Sequence, residues 1–135
     1  MPHIIWEEKY SVNIKMIDEQ HKRLFEIFGN IFDRMGKKDD REALGVDVWE
    51  LARYATGHFD AEELLLSEYY FPGYEQHKKE HEVFRSKVAI FQRDLEKDKT
   101  TLSIDIVHFL MSWLSHHILT VDKEYSAFLN EKGIR

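Results

Sequence analysis

The chain has 135 residues, the size of one ordinary domain and enough to bury a real core. It is 43% hydrophobic and 33% charged, the profile of a soluble globular protein, and its net charge of -6 argues against nucleic acid as the main partner. There is no cysteine, which excludes disulfides, thiolate zinc sites and iron–sulfur clusters. No apolar run approaches the length of a membrane span. The N-terminal stretch MPHIIWEEKYSVN has acids where a signal peptide needs a basic start and a long apolar run, so the expected location is cytoplasmic. No repeat, Ser/Gly linker or low-complexity segment interrupts the chain, and residues 1–135 read as a single domain.

Four helices follow from period and punctuation. The first is expected from Asp18 to Met35, where Leu24, Phe25, Phe28, Ile31, Phe32 and Met35 recur at three- and four-residue steps. Asp18 is its expected N-cap, and GKKDD its end. The second runs from about Arg41 to Tyr69, with Leu44, Val48, Leu51, Ala52, Ala55, Phe59 and Glu62 along one stripe. The Phe-Pro-Gly break at Phe71 stops it, because Pro72 cannot continue a helix without losing a hydrogen bond. The third spans about Tyr74 to Lys97, and the fourth about Leu102 to Leu129, ending before Gly133. Short links between four helices predict an all-α, up-down-up-down four-helix bundle.

The eight histidines carry the chemical signal. His58 and Glu62 are four residues apart, as are His77 and His81, so each pair shares a helix face. His21 is early in helix one, His58 and Glu62 late in helix two, His77 and His81 early in helix three, and His117 and Asp122 late in helix four. In the expected topology those positions meet at one level, near one end of the core. Singly, each has a bland alternative: a hydrogen-bonded core histidine, a surface pair, a solvated acid. Together they would bury five imidazoles and two carboxylates without a counter-charge, which is very costly.

Seven ligands exceed the four-coordinate shell of zinc and fit two metals better than one. Two octahedral ions offer about twelve positions; five imidazoles, two bridging carboxylates and a bridging oxide or hydroxide fill about eleven. One vacancy suits a small diatomic molecule. His117 and Asp122 are five apart, about 140° around an ideal helix, so either a local widening of helix four, such as a π-bulge, or a long reach by Asp122 is expected. His116 lies about 100° from His117 and His108 on the opposite side, while His3 precedes any helix; these three are expected outside the ligand set.

These motifs, MIDEQHKRLF, HFDAEE, HKKEHEVF and WLSHHILTVDKEY in this order after Trp6, resemble the hemerythrin family, in particular its single-domain bacterial members, over nearly the whole chain. The resemblance implies two non-haem iron ions, oxo- or hydroxo-bridged, at one end of the bundle. It assigns His77, His81 and His117 to one iron, His21 and His58 to the iron with the open position, and Glu62 and Asp122 as bridges. It also implies an oxygen pocket lined by Leu24, Phe59, Trp113, Leu114 and Ile118. The family often has Met soon after the Glu-Glu pair, where this chain reads EELLL, an apolar exchange that affects packing more than ligation.

The expected function is reversible dioxygen binding for storage, delivery or sensing, by a monomer that is not an enzyme, with a protein partner receiving oxygen or signal as a further expectation. Competing readings are a di-iron oxidase or peroxidase, which would need a substrate cavity and proton relay, a purely signalling module, and metal storage.

Overall fold

The structure, a computed structural model, describes residues 5–35, 41–96 and 104–135. Its helices are α1 (Lys15–Met35), α2 (Arg41–Glu68), α3 (Tyr74–Glu96), α4 (Ile104–His116) and α5 (Lys123–Glu131). A π-helical turn, His117–Asp122, joins α4 to α5, so these three segments form one long fourth helix. A short 3-10 turn, Glu8–Tyr10, precedes α1. The described residues contain no strand. Each helix packs on the next, and α1 also meets α4, which closes the four-helix ring. The expected GKKDD turn, Lys97, Leu102 and His3 lie outside the described residues, as do the side chains of Met35 and Leu44.

The apolar stripes face inward. On α1, Ile17, Leu24, Phe25, Phe28, Ile31 and Phe32 are all buried; on α2, Val48, Leu51, Ala55 and Phe59 are. The apolar residues separate into two clusters. The larger holds Leu24, Phe28, Phe59, Phe84, Leu114 and Ile118. The smaller holds Val12, Ile14, Ile17, Leu66, Tyr125 and Leu129. The buried histidines lie between the two clusters.

Two expected boundaries shift, each for a local reason. Helix α1 begins at Lys15 rather than at Asp18, its ladder opening with Asp18 N–H donating to the Ile14 carbonyl at 2.9 Å. Asp18 is therefore not the N-cap. Its carboxylate sits in the first turn and reaches back to accept from the Val12 N–H at 2.9 Å and the Ser11 hydroxyl at 2.6 Å. It thus pins the N-terminal arm and also sits well in the field of the helix start. The arm is tied at its other side by Ser126 Oγ, which donates to the Val12 carbonyl at 2.6 Å.

Helix α2 ends at Glu68, one residue before Tyr69. Phe71 N–H bonds back to Leu66 O at 2.9 Å and Tyr70 N–H to Ser67 O at 3.2 Å, the double closure of a Schellman motif. That motif requires a left-handed residue, and Tyr70 takes it at φ 56°. The same closure ends α5, where Ile134 bonds to Leu129 and Gly133 to Asn130, each at 3.0 Å, with Gly133 at φ 87°. There the conformation costs nothing, since glycine has no Cβ. Tyr70 is 88% exposed and gains little from its ring in exchange for the strain. Tyr70→Gly should therefore stabilise the protein by roughly 0.5–1 kcal/mol, read as a higher urea midpoint at unchanged slope; a lower midpoint would show that the tyrosine ring matters more than its backbone.

Candidate metal centre

Four helix segments deliver seven polar side chains to one buried layer. His21, His58, Glu62, His77, His81, His117 and Asp122 are each at most 3% exposed. The layer lies between the two apolar clusters: Ile17 and Leu24 flank His21 on α1, Phe59 and Leu66 flank Glu62 on α2, and Ile118 and Tyr125 flank Asp122 on the fourth wall. It is near one end of the bundle but sealed there by the smaller cluster rather than open to solvent.

The π turn makes this layer possible. His117 and Asp122 bound it at its two ends. Winding that closes over five residues brings positions five apart onto one face, where an α-helix would separate them. His117 Nε2 accordingly lies 3.0 Å from Asp122 Oδ1. Thr120 Oγ1 donates to the His116 carbonyl at 2.7 Å, supplying a side-chain donor where the backbone ladder changes register.

The two carboxylates divide the imidazoles into two groups. On one side, Glu62 Oε1 lies 3.1 Å from His81 Nε2 and 3.6 Å from His77 Nε2, while Asp122 Oδ1 lies 2.9 Å from His77 and 3.0 Å from His117. On the other, Glu62 Oε2 is 3.5 Å from His58 Nε2 and 3.6 Å from His21 Nε2, and Asp122 Oδ2 is 3.2 Å from His21. Glu62 Oε1 and Asp122 Oδ1 together thus face three imidazoles, and Glu62 Oε2 and Asp122 Oδ2 together face two.

Despite these approaches, the central atoms have no hydrogen-bond partner. Nε2 of His21, His77, His81 and His117, Oε1 of Glu62 and both oxygens of Asp122 are buried and unsatisfied. Native proteins rarely leave even one buried polar atom so. Their donor atoms converge instead, Glu62, His77, His81, His117 and Asp122 in one group and His21, His58 and Glu62 in a second, each within 4.8 Å. Nitrogen and carboxylate donors on two adjoining centres sharing Glu62 suit a pair of borderline metal ions.

Without metal, the layer is strongly polarised. Burial would lower the His21 imidazole, but Asp122 and Glu62 raise it to about 9. The same opposition raises His77 to about 10. At His58 burial prevails and lowers it to about 4. Burial opposes charge on Glu62 and Asp122 too, yet His58, His21, His77 and His81 around Glu62, and His117 and His21 around Asp122, hold both carboxyls well below the usual range.

A ring of outer partners orients the inner side chains, and sequence reasoning did not find it. His58 Nδ1 donates to Gln20 Oε1 at 2.6 Å, His81 Nδ1 to Glu63 Oε2 at 2.8 Å, and the Tyr125 hydroxyl to Glu62 Oε2 at 2.6 Å. These bonds fix which ring nitrogen points inward. Burial, with the charges of Asp122 and Glu62, raises the Tyr125 hydroxyl well above its ordinary value and keeps it a donor. Glu63 and Gln20 adjoin Glu62 and His21 in sequence, which was the available signal; Tyr125, three residues past Asp122, carried none beyond its place on an apolar face.

The expected pocket residues are buried around the layer. Leu24, Phe59, Leu114 and Ile118 are at most 1% exposed, and Trp113 is half-buried. Phe59 stacks on His81 with centroids 4.0 Å apart, and Trp113 stacks on His117 at 4.5 Å, which places both rings against the three-imidazole side. His116 and His108 are exposed, outside the layer as expected.

Comparison with known proteins agrees with this architecture. The family profile described as Hemerythrin HHE cation binding domain matches residues 12–129. Bacteriohemerythrin of Clostridium acetobutylicum is 29% identical over 125 residues, covering 90% of this chain and 97% of that protein. Myohemerythrin of Sipunculus nudus is 30% identical, covering 93% and 92%. A crystal structure of wild-type hemerythrin superposes with a TM-score of 0.87 at 26% identity, covering 92% of this chain and 95% of that one. The chain belongs to the hemerythrin family, whose members are oxygen-binding proteins with a non-haem di-iron centre and not enzymes.

Proposed function

We propose that this chain, as a single hemerythrin domain, takes up and releases dioxygen reversibly for storage or delivery, with His77, His81 and His117 holding one iron, His21 and His58 the other, and Glu62 and Asp122 bridging. The observation that carries this reading is the unequal division of the layer, three imidazoles against two around the same pair of carboxylates. A side with one fewer protein ligand leaves one position for a small molecule. A ferrous pair held by these residues would supply the electrons for reversible binding of the gas. The chain's own residues do the rest. Glu62 and Asp122 hold the two positions at a fixed separation, Gln20 and Glu63 hold His58 and His81 in the ligating orientation, and Leu24, Leu114 and Ile118 keep the surroundings dry. No described helix is long and apolar enough to cross a membrane. The protein works as a monomer and passes oxygen or its oxidation state to a separate partner.

The direct test is anaerobic reduction of the iron-loaded protein, admission of air, then its removal. A visible band that appears and disappears over repeated cycles, with two irons per chain by elemental analysis, is the expected result. Steady oxygen consumption would turn the reading towards an oxidase, and one metal per chain would sink it.

Neighbouring histidines should behave differently. His117→Ala removes a buried nitrogen from the layer and should lower iron content sharply, whereas His116→Ala, at an exposed position, should retain both irons. Equal loss in both would displace the proposed ligand set.

Metal uptake should release protons. At pH 7 the metal-free layer keeps His21 and His77 protonated, their values being about 9 and about 10, while His58 is neutral. Ligating nitrogens must be neutral, so loading should expel about two protons per chain and weaken as pH falls. Calorimetry in buffers of different ionisation enthalpy measures the number. The stability these two imidazoles give the metal-free fold is complete below pH 6.5 and disappears as pH rises through about 9–10. The metal-free form should therefore melt below the loaded form and fall further behind in alkali.

Leu114→Ala should cost roughly 2–5 kcal/mol, because a side chain 1% exposed leaves a cavity. It touches no ligand, so both irons should remain. With the dry wall opened to water, the band should survive fewer air–argon cycles than in the parent. An equal number of cycles would leave Leu114 as ordinary core.

A further inference from the structure

The two sides of the layer differ in what lies behind their imidazoles. Behind His58, Nδ1 meets the neutral amide oxygen of Gln20 at 2.6 Å. Behind His81, Nδ1 meets a carboxylate, Glu63, at 2.8 Å. Nδ1 of His21 and of His117 has no partner. Among the described contacts, His81 alone of the five imidazoles has a buried carboxylate at its Nδ1, and it belongs to the three-imidazole side. Glu63 is only 9% exposed, so its charge is poorly screened.

Arg85 controls that charge. Its Nη2 lies 3.1 Å from Glu63 Oε2, the same oxygen that accepts from His81, and 3.0 Å from Asp60 Oδ1. Its Nη1 donates to Glu82 Oε1 at 2.7 Å. The guanidinium also lies 5.3 Å from the centre of the Phe59 ring, and Phe59 stacks on His81 at 4.0 Å and 12°. Arg85 thus reaches the back of His81 through the carboxylate that both residues share. No comparable ion pair stands behind the other four imidazoles among the described contacts.

We propose that Glu63 and Arg85 are a positioning pair that sets the reduction potential of the centre through His81, the carboxylate favouring the ferric state and the arginine moderating it. This rests on His81 being an iron ligand, as read above. A carboxylate accepting from Nδ1–H fixes the tautomer and pushes electron density through the ring to Nε2, which stabilises the higher-charged ion there. Partial neutralisation by Arg85 withdraws some of that density. The two residues therefore pull in opposite directions, and this opposition cannot be imitated by loosened packing.

The experiment is an anaerobic spectroelectrochemical titration of the iron-loaded full chain, with iron content measured on each sample. Glu63→Gln keeps the shape and an acceptor but removes the charge, and should raise the midpoint potential. Arg85→Gln leaves Glu63 uncompensated and should lower it. In the Glu63→Gln background, Arg85→Gln should have little further effect. A shift on the order of tenfold in the reduction equilibrium corresponds to about 59 mV for one electron. Unchanged potential in Glu63→Gln with both irons bound, or shifts of the same sign in the two single variants, would overturn the proposal. Should Glu63→Gln load no iron, Arg85→Gln decides alone, and a raised or unchanged potential overturns it. His81→Ala separates this from the ligand assignment: if it keeps both irons, the assignment fails; if it loses iron while Glu63→Gln shifts nothing, only the present inference fails.

Discussion

Burying charge without a partner is the constraint on which this bundle turns. Glu62 and Asp122 sit at no more than 1% exposure in a layer walled above and below by apolar side chains. Their oxygens have five imidazoles nearby, yet Glu62 Oε1 and both oxygens of Asp122 make no hydrogen bond. His21 and His77, raised by these carboxylates, offset part of that charge in the metal-free layer, but the atoms left without a hydrogen bond still carry a desolvation cost that a bound cation would relieve. The layer is thus a defect in the protein alone, and two cations standing in it would satisfy those atoms. Metal binding and folding are for that reason one equilibrium here, and the apolar clusters on both sides keep the exchange of water for metal from being reversed by solvent.

The chain has had to bend its own regular geometry to build the layer. Two walls use plain helical spacing, four residues between His58 and Glu62 and between His77 and His81, and α1 contributes His21 alone. The fourth cannot, since His117 and Asp122 are five apart, and the helix widens into a π turn between them. An extra residue in a turn breaks the ladder and wastes a backbone bond, which Thr120 partly recovers from the side chain. The gain is a second buried carboxylate at the level of the first, so that the two groups of imidazoles share both Glu62 and Asp122.

The helices and the level of the histidines were legible because both rest on period. Positions such as Phe28, Phe32 and Leu51 repeat at helical spacing, and antiparallel connection then fixes which ends meet. Even the π turn was legible, from the mismatch between five residues and 100° per residue. What stayed hidden depends on contacts between distant segments. Asp18 looks like an N-cap in sequence, yet it braces Ser11 and Val12 three and more residues upstream of the helix start, because Ser126 has already docked that arm. Tyr70 ends α2 in a conformation that glycine signals and tyrosine does not. Tyr125 reads as core on its apolar face, and only the fold brings its hydroxyl to Glu62 across 63 residues of chain.

The hidden contacts are also the ones that distinguish the two halves of the layer. Inner ligands alone make a nearly symmetric pair, imidazoles and shared carboxylates on either side. The outer shell breaks that symmetry. Tyr125 donates to Glu62 Oε2, the oxygen facing His21 and His58, and drains charge from that side. Glu63 adds charge behind His81 on the other. A donor on one bridge oxygen and an acceptor behind one opposite imidazole both make the two-histidine side the poorer in electron density. The fold places the iron-binding groups, while a few hydrogen bonds from residues with no periodic signature decide how firmly each half holds its electrons.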